Sequence, residues 1–190
     1  MKQIHIRRDS TGKVTFETVS VDTTETVFFT NLDPQQAHFP SICTNQLGPA
    51  PSANSSQCTL GPPTNNVVTY TCTLHPGEQG TINVFNPLKA VNATLAVATV
   101  GTAISEQQVV SGGMAPYAIS GQLFQVLNGT TVVQSGSGIG PGLQLNAKTS
   151  ALGITVTGTP TVQGTYTFTF TVNDAMGRNL QQVQYPMVVN

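Results

Sequence analysis

Three side chains carry most of the chemistry available to this chain. Cys72-Thr73-Leu74-His75 follows the run Val67–Thr71 directly, and His38 lies 34 residues before Cys72. A thiolate and an imidazole three apart on a tight loop, joined by an imidazole from a neighbouring strand end, can form a trigonal His₂Cys set. Such a set suits copper in an electron-transfer site, because the soft thiolate shares charge with the metal and a rigid loop limits geometric change. On spacing alone, a buried cysteine with two surface histidines is the plainer reading. The third histidine, His5, sits in the alternating run Gln3-Ile4-His5-Ile6-Arg7 and reads as a solvent-side strand residue.

Other reactive arrangements are missing from the sequence. It contains no His-Glu-x-x-His, Gly-x-Ser-x-Gly or Cys-x-x-Cys. With two of three histidines in one site, too few remain for a multicopper cluster, and the chain reads as a non-enzyme. Gly136-Ser137-Gly138-Ile139-Gly140 is followed by Pro141 instead of a helix start, so it reads as a flexible loop and not a phosphate cradle. Asn173 and Asp174 offer too few oxygens for a Ca²⁺ site. Asn54-Ser55-Ser56, Asn92-Ala93-Thr94 and Asn128-Gly129-Thr130 match the glycosylation tripeptide and read as chance matches.

The elements that must position these residues are strands. Short runs of high β propensity, such as Thr26-Val27-Phe28-Phe29-Thr30 and Thr165-Tyr166-Thr167-Phe168-Thr169-Phe170, alternate with Gly, Pro, Asn and Asp. The second run has one aromatic face and one Thr face, as a half-buried strand should. No 3.6-period segment of helical length occurs, which predicts an all-β protein. Residues 1–90 hold eleven of the fifteen charges and every His and Cys. The stretch Asn86-Pro87-Leu88-Lys89-Ala90 reads as the boundary, giving a first domain over 1–86, a linker over 87–91 and a second domain over 92–190.

Composition excludes several classes. Only 8% of the 190 residues are charged, against roughly 25% in an average soluble protein. The net charge of −1 comes without a basic stripe, so no nucleic-acid partner is expected. Hydrophobic content is 38%, mean hydropathy is +0.01, and no apolar run approaches the roughly 18 residues of a membrane span. Met1-Lys2-Gln3-Ile4-His5 lacks the apolar core of a secretory signal, which leaves a cytoplasmic protein or a mature exported fragment behind an added Met, and the cysteines favour the second.

Cys72-Thr73-Leu74-His75-Pro76-Gly77-Glu78-Gln79-Gly80 resembles the ligand loop of cupredoxins, and among them the short loop of amicyanin. Upstream, Thr26-Val27-Phe28-Phe29-Thr30-Asn31, then Asp33-Pro34 and His38, resembles the same family's strand, Asn and first ligand His. The resemblance covers about residues 1–86 and implies a Greek-key β-sandwich binding one copper ion through His38, Cys72 and His75. It also implies that Asn31 ties the two ligand loops together. At the axial position the family usually has Met, and here stands Glu78, with Gln79 beside it. Glu78 would be a harder, anionic donor favouring Cu(II), or else it points to solvent and leaves a three-coordinate site. With Cys72 given to the metal, Cys43 and Cys58 remain as a pair, and a disulfide between them implies the periplasm or exterior. Two unpaired thiols in a polar loop are the alternative.

In the second half, Ser111-Gly112-Gly113-Met114-Ala115-Pro116-Tyr117 and Gly158-Thr159-Pro160 followed by Gly164-Thr165-Tyr166 resemble the Ig-like domains of bacterial surface and secreted proteins. The resemblance implies a β-sandwich of about seven strands. It further implies a spacer or adhesive role. Together the two resemblances imply an exported copper protein for one-electron transfer, with a redox protein or a cell-surface molecule as partner. A copper-free structural module and copper storage or delivery are the alternatives.

Overall fold

A computed structural model describes residues 1–51, 55–61, 66–148 and 153–190; Asn54 of the first tripeptide lies outside them. The described residues contain strands and no helix, so the chain is all-β. It divides into two compact units, Met1–Phe85 and Asn86–Asn190. Among the described residues, no helix is long and apolar enough to cross a membrane.

The first unit has seven described strands: β1 (Lys2–Arg8), β2 (Val14–Phe16), β3 (Val19–Asp22), β4 (Val27–Asn31), β5 (Ser55–Cys58), β6 (Val67–Thr71) and β7 (Gln79–Phe85). They form a sheet in the order β2-β1-β4-β5 and a second in the order β3-β7-β6. The pairs β1–β4 and β3–β7 are parallel. Alternation decides which face is buried: in β7 every second residue, Gly80, Ile82 and Val84, points inward. Ile4, Ile6, Phe29, Tyr70 and Ile82 are at most 1% exposed and belong to one core shared by both sheets. This is a sandwich. Gly80 is required there, because a Cβ on it would run into the Tyr70 ring and Phe16.

The second unit consists of β8 (Lys89–Ala90), β9 (Ile104–Ser111), β10 (Ala118–Asn128), β11 (Thr131–Ser137), β12 (Leu143–Lys148), β13 (Gly153–Gly158), β14 (Gly164–Asn173) and β15 (Asn179–Val189). Two antiparallel sheets, β11-β10-β14-β15 and β12-β13-β9-β8, share a core. Phe168, Phe170 and Tyr185 stack within it, with ring centroids 5.7–6.3 Å apart. The Tyr185 hydroxyl donates to the Val109 carbonyl and so links β15 to β9 of the other sheet.

Two expectations about this half need correction. Residues 87–91 are not a free linker: Lys89 and Ala90 pair with Ser111 and Val110, and Leu88 is buried in the core. An apolar side chain and the free edge of β9 draw the segment into the sandwich. Likewise Gly136 and Ser137 end β11 and Ile139, in the bend that follows, is 1% exposed, so the glycine-rich run is anchored in strand and core and is not a free loop.

Candidate metal centre

The loop 72–78 joins β6 to β7 and is tightly closed. The Cys72 amide donates to the Glu78 carbonyl at 2.9 Å, and the Glu78 amide donates to the His75 carbonyl at 3.2 Å. Gly77, at φ +93°, supplies the left-handed turn after Pro76 that a residue with a Cβ resists. His38 sits on the loop after β4, where its amide and carbonyl exchange hydrogen bonds with Leu47 at 2.9 and 2.8 Å.

Backbone bonds join the two loops directly. The Ser41 amide donates to the Thr71 carbonyl and the Thr73 amide to the Phe39 carbonyl, both at 2.8 Å. The Phe39 amide also donates to Cys72 Sγ at 3.4 Å. Asn31 does not make this tie, contrary to expectation. Its Oδ1 accepts from the Asp33 amide at 2.9 Å, and its Nδ2 donates to the Gln36 and Gly48 carbonyls at 2.8 Å each. Asn31 therefore shapes the His38 loop alone, because a short amide at the end of β4 is spent on the nearest orphan backbone groups.

Four donor atoms from His38, Cys72, His75 and Glu78 lie within 4.8 Å of one another. Cys72 Sγ is 3.7 Å from His38 Nδ1 and 3.5 Å from His75 Nδ1. Glu78 Oε2 is 3.0 Å from His38 Nδ1 and 3.4 Å from His75 Nδ1. That oxygen is buried and makes no hydrogen bond. Ligand atoms set tetrahedrally about 2.1 Å from a first-row ion lie roughly 3.4 Å apart, and the four contacts bracket that value. The residues present thus fit a first-row transition-metal ion, with Glu78 Oε2 turned inward. Gln79 is exposed at the start of β7. His38 and Cys72 are buried, whereas the His75 side chain keeps 29% of its surface exposed. His5 is elsewhere, with Nδ1 2.7 Å from Glu17 Oε2. That bond holds the Glu17 carboxyl below its ordinary value.

The sequence reading missed a further layer. His38 Nε2 lies 3.0 Å from Oδ2 of the fully buried Asp33. Arg8 grips the same carboxylate with two bonds, Nε to Oδ1 at 3.1 Å and Nη2 to Oδ2 at 2.8 Å. Burial raises the Asp33 carboxyl, but Arg8, the Gln35 amide and His38 outweigh it and hold it well below the usual carboxylate range. The only trace in the sequence is an acid five residues before a ligand histidine, which is also how a turn residue looks. Cys43 and Cys58 form a disulfide, leaving Cys72 as the free cysteine.

The model of the family described as "Putative Ig domain" (He_PIG) matches residues 87–190. The chain belongs to this family. In its Ig-like domain the hairpin acid Asp174 is fully engaged: Oδ1 accepts from the Met176 and Arg178 amides at 2.9 and 2.8 Å, and Oδ2 from the Met114 amide at 3.0 Å. It is a structural turn residue. Among solved structures, the chain is similar to an endo-fucoidan hydrolase of glycoside hydrolase family 107 at 11% identity and a TM-score of 0.38. That likeness covers 92% of this chain but only 28% of the hydrolase. It is also similar to Titin-A168169 at 12% identity, covering 98% of this chain and 96% of that one, with a TM-score of 0.40. At these scores neither likeness bears on function. No curated protein sequence matches.

Proposed function

We propose that residues 1–86 form a cupredoxin-type domain that binds one copper ion through His38, Cys72 and His75, with Glu78 as the fourth ligand. The observation that carries this reading is the Glu78 Oε2 atom, buried without a hydrogen bond and facing two imidazole nitrogens. A buried carboxylate oxygen without a hydrogen bond costs free energy that a cation would recover. Bound copper supplies a one-electron couple. Cys72 contributes a soft thiolate, moderated by the Phe39 amide that donates to it. The backbone bonds between the loops keep the donors in place when charge changes. His75 is the most exposed of the four ligands, and hence the contact point for a redox protein partner.

The chain acts as an exported, non-enzymatic copper protein in this reading, and the Ig-like domain serves as a spacer or adhesive module toward a cell-surface partner. The Cys43–Cys58 disulfide supports a periplasmic or extracellular location. Glu78 favours a second reading, copper storage or delivery without electron transfer. A thiolate and a carboxylate balance a divalent ion and leave Cu(I) with excess negative charge.

Titration with Cu(II), followed by visible absorption and voltammetry, tests both. We expect one equivalent to bind, a thiolate-to-copper band that Cys72→Ser abolishes, and a reversible couple. No uptake, or an unchanged band in Cys72→Ser, overturns the copper reading. Uptake without a reversible couple selects storage or delivery.

A further inference from the structure

Asp33 is a charge in the interior, and its bonding leaves it a single role toward His38. Oδ1 accepts from Arg8 Nε at 3.1 Å and from the Gln35 amide at 2.9 Å. Oδ2 accepts from Arg8 Nη2 at 2.8 Å and faces His38 Nε2 at 3.0 Å. A carboxylate gripped by a guanidinium fork only accepts hydrogen bonds. A hydrogen bond across the 3.0 Å to His38 therefore requires a ring proton on Nε2. A neutral imidazole carries one N–H, so Nδ1 is left with its lone pair. That nitrogen is the one 3.7 Å from Cys72 Sγ and 3.0 Å from Glu78 Oε2.

Arg8 is held as firmly as the acid it holds. Its Nη1 donates to the Gly12 carbonyl and its Nη2 to Gln36 Oε1, each at 2.6 Å. Only a planar fork reaches all these acceptors at once. We infer that Asp33, clamped by Arg8, is a positioning residue that sets the His38 tautomer and presents a ready-made Nδ1 donor to a divalent transition-metal ion. This rests on the metal reading above. Outer-shell partners of this kind change metal affinity by about 10–100-fold.

Asp33→Asn separates this role from a steric one. The amide has nearly the volume of the acid, but only one oxygen. Arg8 Nε and the Gln35 amide cannot reverse their donor roles, so they claim that oxygen. The NH₂ group then faces His38 Nε2, which must accept, and the proton moves to Nδ1. Long-range ¹H–¹⁵N spectra of the full apo chain read the tautomer directly, and competition titration with Zn(II), a redox-silent probe, reads the affinity. We expect the Nε2–H form in wild type, the Nδ1–H form in Asp33→Asn, and Zn(II) affinity lower by about 10-fold or more in the variant. Asp33→Ala, which offers His38 neither partner, should show a mixture and an intermediate affinity.

An Nδ1–H wild type overturns the inference whether or not any variant folds. So does a variant with wild-type tautomer and affinity, or an inverted tautomer with unchanged affinity. A wild-type chain in the Nε2–H form that takes up neither Zn(II) nor Cu(II) overturns the metal reading instead, and leaves Asp33 with the tautomer alone.

Discussion

Glu78 Oε2 lies 3.0 Å from His38 Nδ1 and forms no hydrogen bond with it. The Cys72 and His75 ligand atoms join them, all four lying within 4.8 Å of one another. In the copper reading proposed above, a carboxylate there is the departure that decides the character of the site. None of the four methionines lies within 30 residues of the loop in sequence.

Glu78→Met is expected to raise the reduction potential and strengthen the blue absorption, because a weak thioether leaves the copper–thiolate bond dominant. Voltammetry and visible spectra of the loaded protein check this. A variant matching wild type in both would mean that the carboxylate is not a ligand.

Thiol titration of the denatured chain is expected to give one reactive group before reduction and three after, since Cys43 and Cys58 are bonded and Cys72 is free. Replacing both bonded cysteines with Ala should lower stability by roughly 3 kcal/mol, the loop-entropy cost for a bridge spanning about 15 residues. The shift in urea midpoint measures it.

Acid should weaken the first unit through Asp33, whose carboxyl is depressed in the folded state despite its burial. A group lowered on folding stabilises above its unfolded value, near about 4, and loses that contribution as pH falls toward the folded value. Urea unfolding of the apo protein at a series of acidic pH values should therefore show a decline below about pH 4 that is shallower in Asp33→Asn. Equal slopes in the two proteins would contradict it.

Tyr70 is 1% exposed, and its hydroxyl has no hydrogen-bond partner among the described residues. Burial accordingly pushes its phenol well above the ordinary value. Tyr70→Phe should stabilise the protein by about 1 kcal/mol, since an unsatisfied buried hydroxyl is removed and the ring packing against Phe16 and Phe29 is kept. Tyr166→Phe should do the reverse, because that hydroxyl donates to the Val162 carbonyl at 2.7 Å. Denaturant unfolding of the two variants gives opposite signs if this holds.

What the sequence determined by itself is local. Alternation in Thr165-Tyr166-Thr167-Phe168-Thr169-Phe170 marks a half-buried strand, since side chains two apart share a face whatever the strand pairs with. Cys72 and His75 are brought together by their spacing of three on one short loop. The separation of charges, His and Cys between the halves likewise needs no coordinates. Tertiary structure decided the rest, where residues far apart in the chain had to meet. Glu78 could face either way until the Gly77 turn and the Cys72 amide closed the loop. Arg8 and Asp33 are 25 residues apart, and they meet because β1 and β4 run parallel with Ile6 opposite Asn31, so that two steps further along each chain the guanidinium and the carboxylate come side by side. A register between two strands is a property of their pairing, set by which faces are buried together, and neither strand carries it alone.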